Sequence, residues 1–241
     1  MMTTVLITGA TRGIGYAATA RLLKRGVNVL ALGRDFSQFA ITGERVTRVP
    51  FDLRAVDGIE SLCDTLPDID VLVNNAALLT TEPFANYTVQ SRRDLIATNI
   101  EAPAELIRVL APKMIARAMA TERPERIKGR VINIASVAGF GGHPDVWYGA
   151  SKGALLNLTK SLAKLYGPQG VMVNAVAPGP TKTAMFDRLP QSRIDEFNRL
   201  VFAQRFAEPD EIARVIEWLA LDAPEYVNGS CIDAASGGYL R

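Results

Sequence analysis

The sequence predicts an α/β protein built on a doubly wound parallel β-sheet of about seven strands, with helices covering both faces of the sheet. Short runs of apolar and β-branched residues alternate along the chain with longer segments whose apolar residues recur at helical spacing. Strands that are buried on both faces have this composition, and the alternation is typical of parallel sheets. The chain has 241 residues, 48% of them hydrophobic, and no linker-like tract, so a single domain, residues 1–241, is predicted.

The predicted elements are bounded by residues that start or end them. The first strand is β-branched and runs directly into glycines, and Gly26 ends the helix that follows. The predicted strands are Thr4–Ile7, Val27–Gly33, Val46–Phe51, Val71–Asn75, Arg130–Ala135, Val171–Ala177 and Ser230–Ala234. The predicted helices are Tyr16–Lys24, Ile59–Thr65, Ser91–Ala118, Gly153–Tyr166 and Pro209–Ala220. In such sheets, functional residues gather at the carboxyl ends of the strands. The residues at those ends include Gly9, Asn74, Ser136 and Pro178.

Composition and charge argue against several classes of function. The formal net charge of +2 gives no electrostatic basis for binding nucleic acid. No apolar run reaches the ~20 residues that cross a membrane, and the first strand starts too early to leave room for a signal peptide. Cys63 and Cys231 are isolated, as expected of buried thiols in a reducing cytoplasm. His143 is the only histidine, so no metal site is expected.

A glycine-rich turn, Thr8-Gly9-Ala10-Thr11-Arg12-Gly13-Ile14-Gly15, follows the first strand. Glycine permits a tight turn and a close approach of ligand to backbone, and free N–H groups at the start of the next helix attract anions. A strand, a glycine-rich turn and a helix together can form a phosphate cradle. The spacing here is Gly-x3-Gly-x-Gly rather than Gly-x-Gly-x-x-Gly, so an ordinary strand–helix turn is the alternative.

Tyr148 and Lys152 stand four residues apart at the start of a helical pattern, so their side chains are predicted to project from one face of a helix. A phenol has an ordinary pKa of ~10, and a nearby ammonium lowers it. Such a tyrosine can exchange a proton with an alcohol or a carbonyl. On spacing alone, the alternative is a packed pair of surface side chains.

Several motifs occur together in a fixed order. They are Thr8-Gly-x3-Gly-Ile-Gly15, Asn74-Asn75-Ala76, Ser136 placed twelve residues before Tyr148, Tyr148-x3-Lys152, and Asn174-Ala-Val-Ala-Pro178-Gly179. In these motifs the chain resembles the short-chain dehydrogenase/reductase family, from about Val5 to Gly238. The family more often has glycine where Ala77 stands. The resemblance implies a Rossmann-type fold and an oxidoreductase that transfers a hydride.

The resemblance also implies roles for the residues around Tyr148. Ser136 would bind the substrate oxygen, Tyr148 would exchange the proton, and Lys152 would lower the tyrosine pKa and hold the nicotinamide ribose. Asn99 would hold a water that extends a proton path from the lysine to solvent. From the residues alone, Ser136 could instead cap a turn, and Asn99 could be a solvated or back-bonded helix residue.

The choice of cofactor depends on the end of the second strand, Leu32-Gly33-Arg34-Asp35. Gly33 lacks the carboxylate that would accept from a free ribose 2′-hydroxyl. Arg34 and Arg12 supply two guanidiniums that suit a 2′-phosphate. NADP(H) is therefore predicted, and NAD(H) is the alternative because Asp35 could repel that phosphate.

Further cofactor-binding residues follow from the resemblance. They are Gly9, Thr11, Gly13, Ile14, Gly15, Asp52, Leu53, Asn75, Ala76, Tyr148, Lys152, Pro178, Gly179, Thr181 and Thr183. Asp52 and Leu53 would line the adenine ring, and Asn74 would border the adenine ribose together with Ala76. Thr181 or Thr183 would reach the carboxamide or the phosphates.

Substrate identity stays open at this stage. Val137–Trp147 and a lid over residues 180–207 are predicted to wall an apolar pocket that suits ketones. The chain also resembles ketose, dicarbonyl and 3-oxoacyl-carrier-protein reductases. For an acidic carrier protein the candidate basic residues are Arg117, Arg123, Arg126 and Lys128. The alternative from another class is a regulator that senses a cofactor, because a fold alone does not imply catalysis.

The resemblance finally implies a homotetramer or homodimer. The run Ala104–Ala116 is apolar over more than the single stripe that covers a sheet, so a second apolar face is predicted to be hidden by self-association. The alternative is a deeply buried helix beneath the charged loop Ala120–Gly129.

Overall fold

Seven strands form one parallel sheet within the part of the chain that the computed structural model describes, residues 2–80, 82–120, 127–184 and 191–239. In chain order the strands are β1 (Thr4–Thr8), β2 (Asn28–Gly33), β3 (Val46–Pro50), β4 (Val71–Asn74), β5 (Gly129–Ile134), β6 (Val171–Pro178) and β7 (Cys231–Ala234). Across the sheet their order is β3-β2-β1-β4-β5-β6-β7. The predicted doubly wound parallel sheet is confirmed, and each predicted strand is present to within one residue at either end.

Helices connect successive strands, except β2 and β3, which a loop connects. In chain order they are α1 (Gly13–Lys24), α2 (Ile59–Thr65), α3 (Val89–Ile96), α4 (Ala102–Ala120), α5 (Ala138–Gly141), α6 (Val146–Tyr166), α7 (Gln191–Leu200) and α8 (Pro209–Leu221). Helices α5 and α7 were not predicted. The first spans a single turn that is rich in glycine. The second is polar on average, but Ile194, Phe197 and Leu200 recur at helical spacing within the segment that was assigned to the lid.

Helix α6 begins seven residues before the predicted start at Gly153. The side chain of Asp145 accepts a hydrogen bond from the backbone N–H of Tyr148, at 3.0 Å, and so caps the helix at Val146. This earlier start places Tyr148 in the first turn and Lys152 in the second.

The long helix predicted over Ser91–Ala118 is divided in the structure. A π-helical segment, Ala97–Glu101, joins α3 to α4. Such a segment adds a residue to one turn and is often found at functional sites. Sequence periodicity did not reveal it, because the apolar spacing on either side still reads as helical.

The sheet is buried on both faces because successive side chains point to opposite sides. Ile7 packs with Leu22 of α1 and Ile216 of α8 on one side. Leu6 packs with Leu106 of α4 on the other side. All of these side chains are fully buried, and each contributes about 1.5–3 kcal/mol to folding. Packing on both sides therefore fixes the strand ends that carry the candidate site.

Helix α4 is buried over a wide surface within this chain. Leu106, Leu110 and Met114 lie in the layer between the sheet and α2, and Ile107 is also fully buried. The second apolar face predicted for this helix is thus largely covered by the chain's own elements, because α2 packs alongside it. Met119, at the end of the helix, remains 67% exposed.

The predicted lid over residues 180–207 is described except for residues 185–190 and the side chain of Arg193. Its two ends meet, since Thr181 pairs with Ala207 and the Lys182 N–H donates to the Ala207 carbonyl at 2.9 Å. The lid and the single-domain organisation stay predictions. None of the helices in the described ranges is long and apolar enough to cross a membrane.

The basic residues proposed for a carrier protein do not form a free patch in the described part of the chain. The Arg117 side chain is only 11% exposed and donates to Asp70 at 2.5 Å. Arg123 and Arg126 lie outside the described residues. Lys128 remains a partly exposed residue just before β5.

Candidate active site

The glycine turn between β1 and α1 requires glycine at specific positions. Gly9 and Gly13 have φ angles of +63° and +55°, which other L-residues rarely adopt. A Cβ atom at Gly15 would lie 2.3 Å from the Gly9 carbonyl oxygen. A Cβ atom at Gly13 would lie 3.0 Å from the methyl group of Thr183. Only a bare backbone fits here, and it presents the uncapped first turn of α1, a suitable cradle for a phosphate.

Asn75 holds this turn from the neighbouring strand. Its Nδ2 donates to the carbonyls of Thr8 and Gly9, at 2.9 and 3.1 Å. In return, the Thr8 hydroxyl accepts from the backbone N–H groups of Asn75 and Ala76, at 2.9 and 3.0 Å. The amide that was predicted to bind the cofactor is therefore engaged in supporting the glycine turn, a role that the sequence did not suggest.

Asn74 lies below the surface of the site. It is 2% exposed, and its Nδ2 donates to Asn133 Oδ1 at 2.9 Å. Asn133 in turn donates to Thr159 of α6 at 2.9 Å. Because its side chain is enclosed between β4, β5 and α6, Asn74 can border a ribose only through its backbone, and that contact stays a prediction.

Two unpaired arginines lie beside the turn. In the described part of the chain, Arg12 and Arg34 are exposed and form no ion pair with a carboxylate, although the charge of Arg34 contributes to the lowered pKa of Asp52. The Asp35 carboxylate instead accepts from the Ser37 N–H at 2.8 Å and from its hydroxyl at 2.9 Å. These hydrogen bonds, led by the backbone one, lower the pKa of Asp35. Asp35 thus neutralises neither guanidinium.

Gly33 ends β2 directly beside the glycine turn. A Cβ atom there would lie 2.7 Å from the Thr11 methyl group, so the position is too crowded for a side chain. The Thr11 side chain therefore occupies the space beside Gly33, and an acidic side chain at this position would require Thr11 to move.

Asp52 and Leu53 follow β3 and have different surroundings. The Asp52 carboxylate is paired with Arg54, whose guanidinium also contacts Asp94 of α3 at 3.1 Å. The hydrogen bond from Arg54 is the main cause of the lowered pKa of Asp52. Leu53 is 5% exposed and packs in the core. Arg54 was not singled out in the sequence, although the Asp-x-Arg spacing is suited to a local ion pair.

Ser136, Tyr148 and Lys152 converge beyond the end of β5. The Ser136 side chain hydrogen bonds to the Tyr148 hydroxyl, and the Lys152 Nζ lies 5.7 Å from the centre of the Tyr148 ring. Lys152 is 2% exposed and donates to the Ile134 carbonyl at 2.6 Å. The predicted spacing therefore places the phenol, the hydroxyl and the ammonium together.

Burial dominates the acid–base properties of this group. It lowers the pKa of Lys152 from 10.5 to about 8. It also raises the pKa of Tyr148, although the Ser136 hydrogen bond acts in the opposite direction. The expectation that the lysine would lower the tyrosine pKa is not met in the protein alone, because desolvation of the phenolate outweighs the other effects. Tyr148 is therefore held as a protonated donor.

Asn99 lies in the π-helical segment and is 1% exposed. Its Oδ1 accepts from the Leu78 N–H at 2.7 Å, and its Nδ2 lies 2.9 Å from the Leu78 carbonyl and 3.0 Å from Ser151 Oγ. Ser151 donates to the carbonyl of Tyr148 at 2.7 Å. Asn99 is neither solvated nor back-bonded, and it connects the segment after β4 to the helix that carries Tyr148.

The segment after β6 closes the cofactor side. The Pro178 carbonyl accepts from the Val137 N–H at 3.2 Å, and the Gly179 N–H donates to Ala234 at 3.0 Å. The Thr181 hydroxyl donates to the Gly179 carbonyl at 3.0 Å, so it is used within the segment. Thr183 faces the glycine turn, as the contact with Gly13 requires.

Aromatic side chains surround the substrate side. The ring centres of His143 and Tyr148 lie 5.2 Å apart, and the Arg92 Cζ lies 5.6 Å from the centre of the Trp147 ring. Phe140 stacks on Tyr239 at 5.2 Å, a partner near the chain end that the sequence did not suggest. The predicted lid residues Met185, Phe186 and Leu189 lie outside the described residues. No cluster of three metal-ligating side chains occurs in the described part.

The geometry of a glycine cradle beside a Ser-Tyr-Lys group agrees with a comparison to known proteins. Residues 3–193 match the family model for short chain dehydrogenases. The chain belongs to the short-chain dehydrogenase/reductase family and is an oxidoreductase.

Similar proteins differ in substrate and in cofactor. The chain is 29% identical over 245 residues to a 3-oxoacyl-acyl-carrier-protein reductase from Aquifex aeolicus, covering 96% of this chain and 95% of that protein. A structure from Beutenbergia cavernae, described as an NAD(P)-dependent gluconate 5-dehydrogenase with bound NADP, has a TM-score of 0.86, 32% identity and coverage of 98% and 96%. A 4-hydroxyisoleucine dehydrogenase complexed with NADH has a TM-score of 0.85, 27% identity and 98% coverage of both chains.

Proposed function

We propose that this protein is an NADP(H)-dependent oxidoreductase that interconverts a carbonyl compound and a secondary alcohol. The observation that carries the proposal is the convergence of Ser136, Tyr148 and Lys152 beside a glycine turn that accepts no side chain. The turn and the first turn of α1 would hold the pyrophosphate of the cofactor. When bound, the nicotinamide supplies or accepts the hydride.

The three side chains divide the remaining chemistry. In reduction, the Tyr148 hydroxyl transfers its proton to the substrate oxygen, and in oxidation it takes that proton back. The Ser136 hydroxyl donates a hydrogen bond to the same oxygen and stabilises the charge that develops there. Lys152 places a positive charge beside the Tyr148 ring, which stabilises the phenolate left after proton transfer. Its other N–H bonds are proposed to hold the nicotinamide ribose.

Asn99 is proposed to act through α6 rather than on the substrate. Its hydrogen bonds to Leu78 and Ser151 hold the second-turn backbone of α6 against the segment after β4. A water bound beside this asparagine would link Lys152 to solvent and restore the tyrosine proton after each turnover.

Substrate and cofactor can be identified together by one screen. The purified protein is mixed with 3-oxoacyl thioesters, sugar-derived keto acids and diketones, and with the matching alcohols, each with NADPH or NADH in reduction and NADP or NAD in oxidation. Absorbance of the reduced nicotinamide reports turnover. We expect activity with NADP(H) on at least one pair. If calorimetry showed that the protein binds a cofactor, but no pair of carbonyl compound and alcohol were turned over, the result would favour a regulator that senses the cofactor.

The preference for NADP(H) is expected to depend on Arg34. Arg34→Asp removes a charge-assisted partner of the 2′-phosphate, which costs about 1.5–3 kcal/mol, so NADP(H) affinity should fall roughly ten- to a hundredfold while NAD(H) affinity is kept or improved. Titration of both cofactors measures this. Arg45→Asp, an equal charge change at an exposed position before β3, is the matched control. Unchanged NADP(H) affinity in Arg34→Asp would exclude Arg34 as the phosphate ligand.

Self-association is a second proposal. Leu165 of α6 and Trp218 of α8 are 57% and 39% exposed, although both are large apolar residues. Relatives usually associate through the helices that match α4, α6 and α8, and closed symmetry favours dimers and tetramers. Light scattering at micromolar concentration should give two or four times the 26.1 kDa chain mass. A monomeric mass in the fully active protein would contradict this.

A further inference from the structure

A buried carboxylate lies next to the proposed proton donor and has no part in the mechanism above. Asp145 is 3% exposed and stands three residues before Tyr148. It accepts from the Tyr148 N–H at 3.0 Å, from the Tyr87 hydroxyl at 2.5 Å and from the Thr80 N–H at 3.1 Å. These donors come from two separate parts of the chain, α6 and the segment between β4 and α3.

The donors form a connected group. The Thr80 hydroxyl lies 2.6 Å from the Tyr87 hydroxyl and 3.2 Å from the Asp145 carboxylate, so it can donate to either. Burial first, and then the hydrogen bond to Asp145, raise the pKa of Tyr87 to about 12. Tyr87 therefore stays protonated and keeps donating to the carboxylate at any working pH. The arrangement ties Thr80 and Tyr87 to the first turn of α6.

A helix cap alone does not require this charge. Asparagine and serine cap helices about as well as aspartate does, without the cost of burying an ion. Here the carboxylate is buried and accepts several hydrogen bonds, one of them from the backbone N–H of Tyr148 itself. Because Asp145 itself is buried, its charge is screened less by water than that of a surface carboxylate.

We propose that Asp145 is a positioning residue for the proposed reaction: it fixes the first turn of α6 against Thr80 and Tyr87, and it places a buried negative charge three residues before Tyr148. This inference rests on the proposed function. The effects on the pKa of the Tyr148 phenol support it. Burial raises this pKa most, the Ser136 hydrogen bond lowers it, and the negative charge of Asp145 raises it further. The residue therefore influences the pH at which the tyrosine can accept a proton from an alcohol.

Other titratable and charged groups face the same region from each neighbouring element. They are Glu82 and Tyr87 before α3, Arg92 on α3, His143 in the loop before α6, and Tyr148 and Lys152 on α6. Among them His143 needs a control, because its Nδ1 lies 3.1 Å from the backbone nitrogen of Asp145 and an imidazole side chain can carry a positive charge.

The test is the pH profile of alcohol oxidation in Asp145→Asn and Asp145→Ser, with the substrate found in the screen. Both replacements can cap α6, and neither carries a charge. Oxidation needs the Tyr148 phenolate, so the pH at half-maximal kcat/KM should fall by on the order of half a pH unit in both variants. Tyr87→Phe removes a hydrogen bond and leaves the charge, so its profile should stay at the position of the parent while turnover falls several-fold. The shift should persist in Asp145→Asn/His143→Gln.

Two outcomes would overturn the inference. One is a profile in both uncharged variants that coincides with that of the parent. The other is an equal downward shift in Tyr87→Phe, which would assign the effect to loosening of the segment. Ultraviolet difference titration of the Tyr148 phenolate, with Tyr148→Phe as reference, measures the same shift without substrate. It separates failure of this inference from failure of the proposed function, because it needs no turnover.

Discussion

Tyr148→Phe is expected to lower turnover by about 10²–10⁴-fold, the usual contribution of a positioned general acid. The replacement removes only the hydroxyl that meets Ser136, so the ring still packs beside Lys152 and His143. Cofactor affinity should stay nearly intact, because the glycine turn and Arg34 are unchanged. Steady-state turnover and cofactor titration on the same preparation measure the two quantities.

Tyr166→Phe is the matched control for this prediction. Tyr166 is partly buried at the opposite end of the same helix, so the control loses the same atom far from the site. We expect its turnover to equal that of the parent. If Tyr148→Phe also kept turnover within about twofold, Tyr148 would not be the proton donor, and the mechanism would need another acid.

Lys152→Met is expected to have opposite effects on activity and on stability. Without the buried ammonium, the Tyr148 phenolate loses its neighbouring positive charge, and turnover should fall by roughly 10²-fold or more. The folded protein should nevertheless become more stable at neutral pH. Burial lowers the pKa of Lys152 from 10.5 to about 8, so holding its charge costs the parent up to about 3 kcal/mol. Loss of the hydrogen bond to Ile134 offsets about 1 kcal/mol of this, leaving a gain of about 2 kcal/mol.

The pH dependence gives this prediction a sign that can be checked. Below pH 8 the lysine is charged in both the folded and the unfolded chain, so the folded parent bears the full cost. Between pH 8 and 10.5 the folded parent has lost the proton that the unfolded chain keeps, and its stability rises. The advantage of Lys152→Met should therefore shrink across that interval. Urea unfolding at fixed protein concentration measures it, with Lys160→Met, an exposed lysine on the same helix, as control. A stability gain that is independent of pH would show that the charge is not its cause.

The strands were predictable because each is a short apolar run buried on both faces, and nothing else in the chain competes with that pattern. The positions of Gly9 and Ser136 could be predicted because they lie just beyond strand ends. Those of Tyr148 and Lys152 could be predicted because they lie one helical turn apart. Helix α7 was missed although Ile194, Phe197 and Leu200 recur at helical spacing, because the whole segment was assigned to a lid. The π-helical segment was missed because it preserves the apolar spacing on both sides.

Contacts between distant segments could not be read from the sequence. Asp145 precedes a helical pattern, and its capping role has a signal in the spacing Asp145-x-x-Tyr148, but its bond to Tyr87 depends on how α3 packs on α6. The same holds for Asn75, whose amide turned out to face the glycine turn. For Asp35, the sequence indicated a charge that could repel a 2′-phosphate, and the structure shows that its carboxylate accepts hydrogen bonds from Ser37.

The bonds that Asn75 makes to Thr8 and Gly9 also bear on how a cofactor is bound. They join the ends of two adjacent strands, so the backbone of the proposed cofactor cradle is held in place by the protein's own hydrogen bonds. Little conformational entropy of the backbone then remains to be lost on association, and more of each phosphate contact is available as affinity. The similar proteins differ in substrate. A cofactor cradle fixed in this way can stay the same among them, while the residues that would contact the substrate differ.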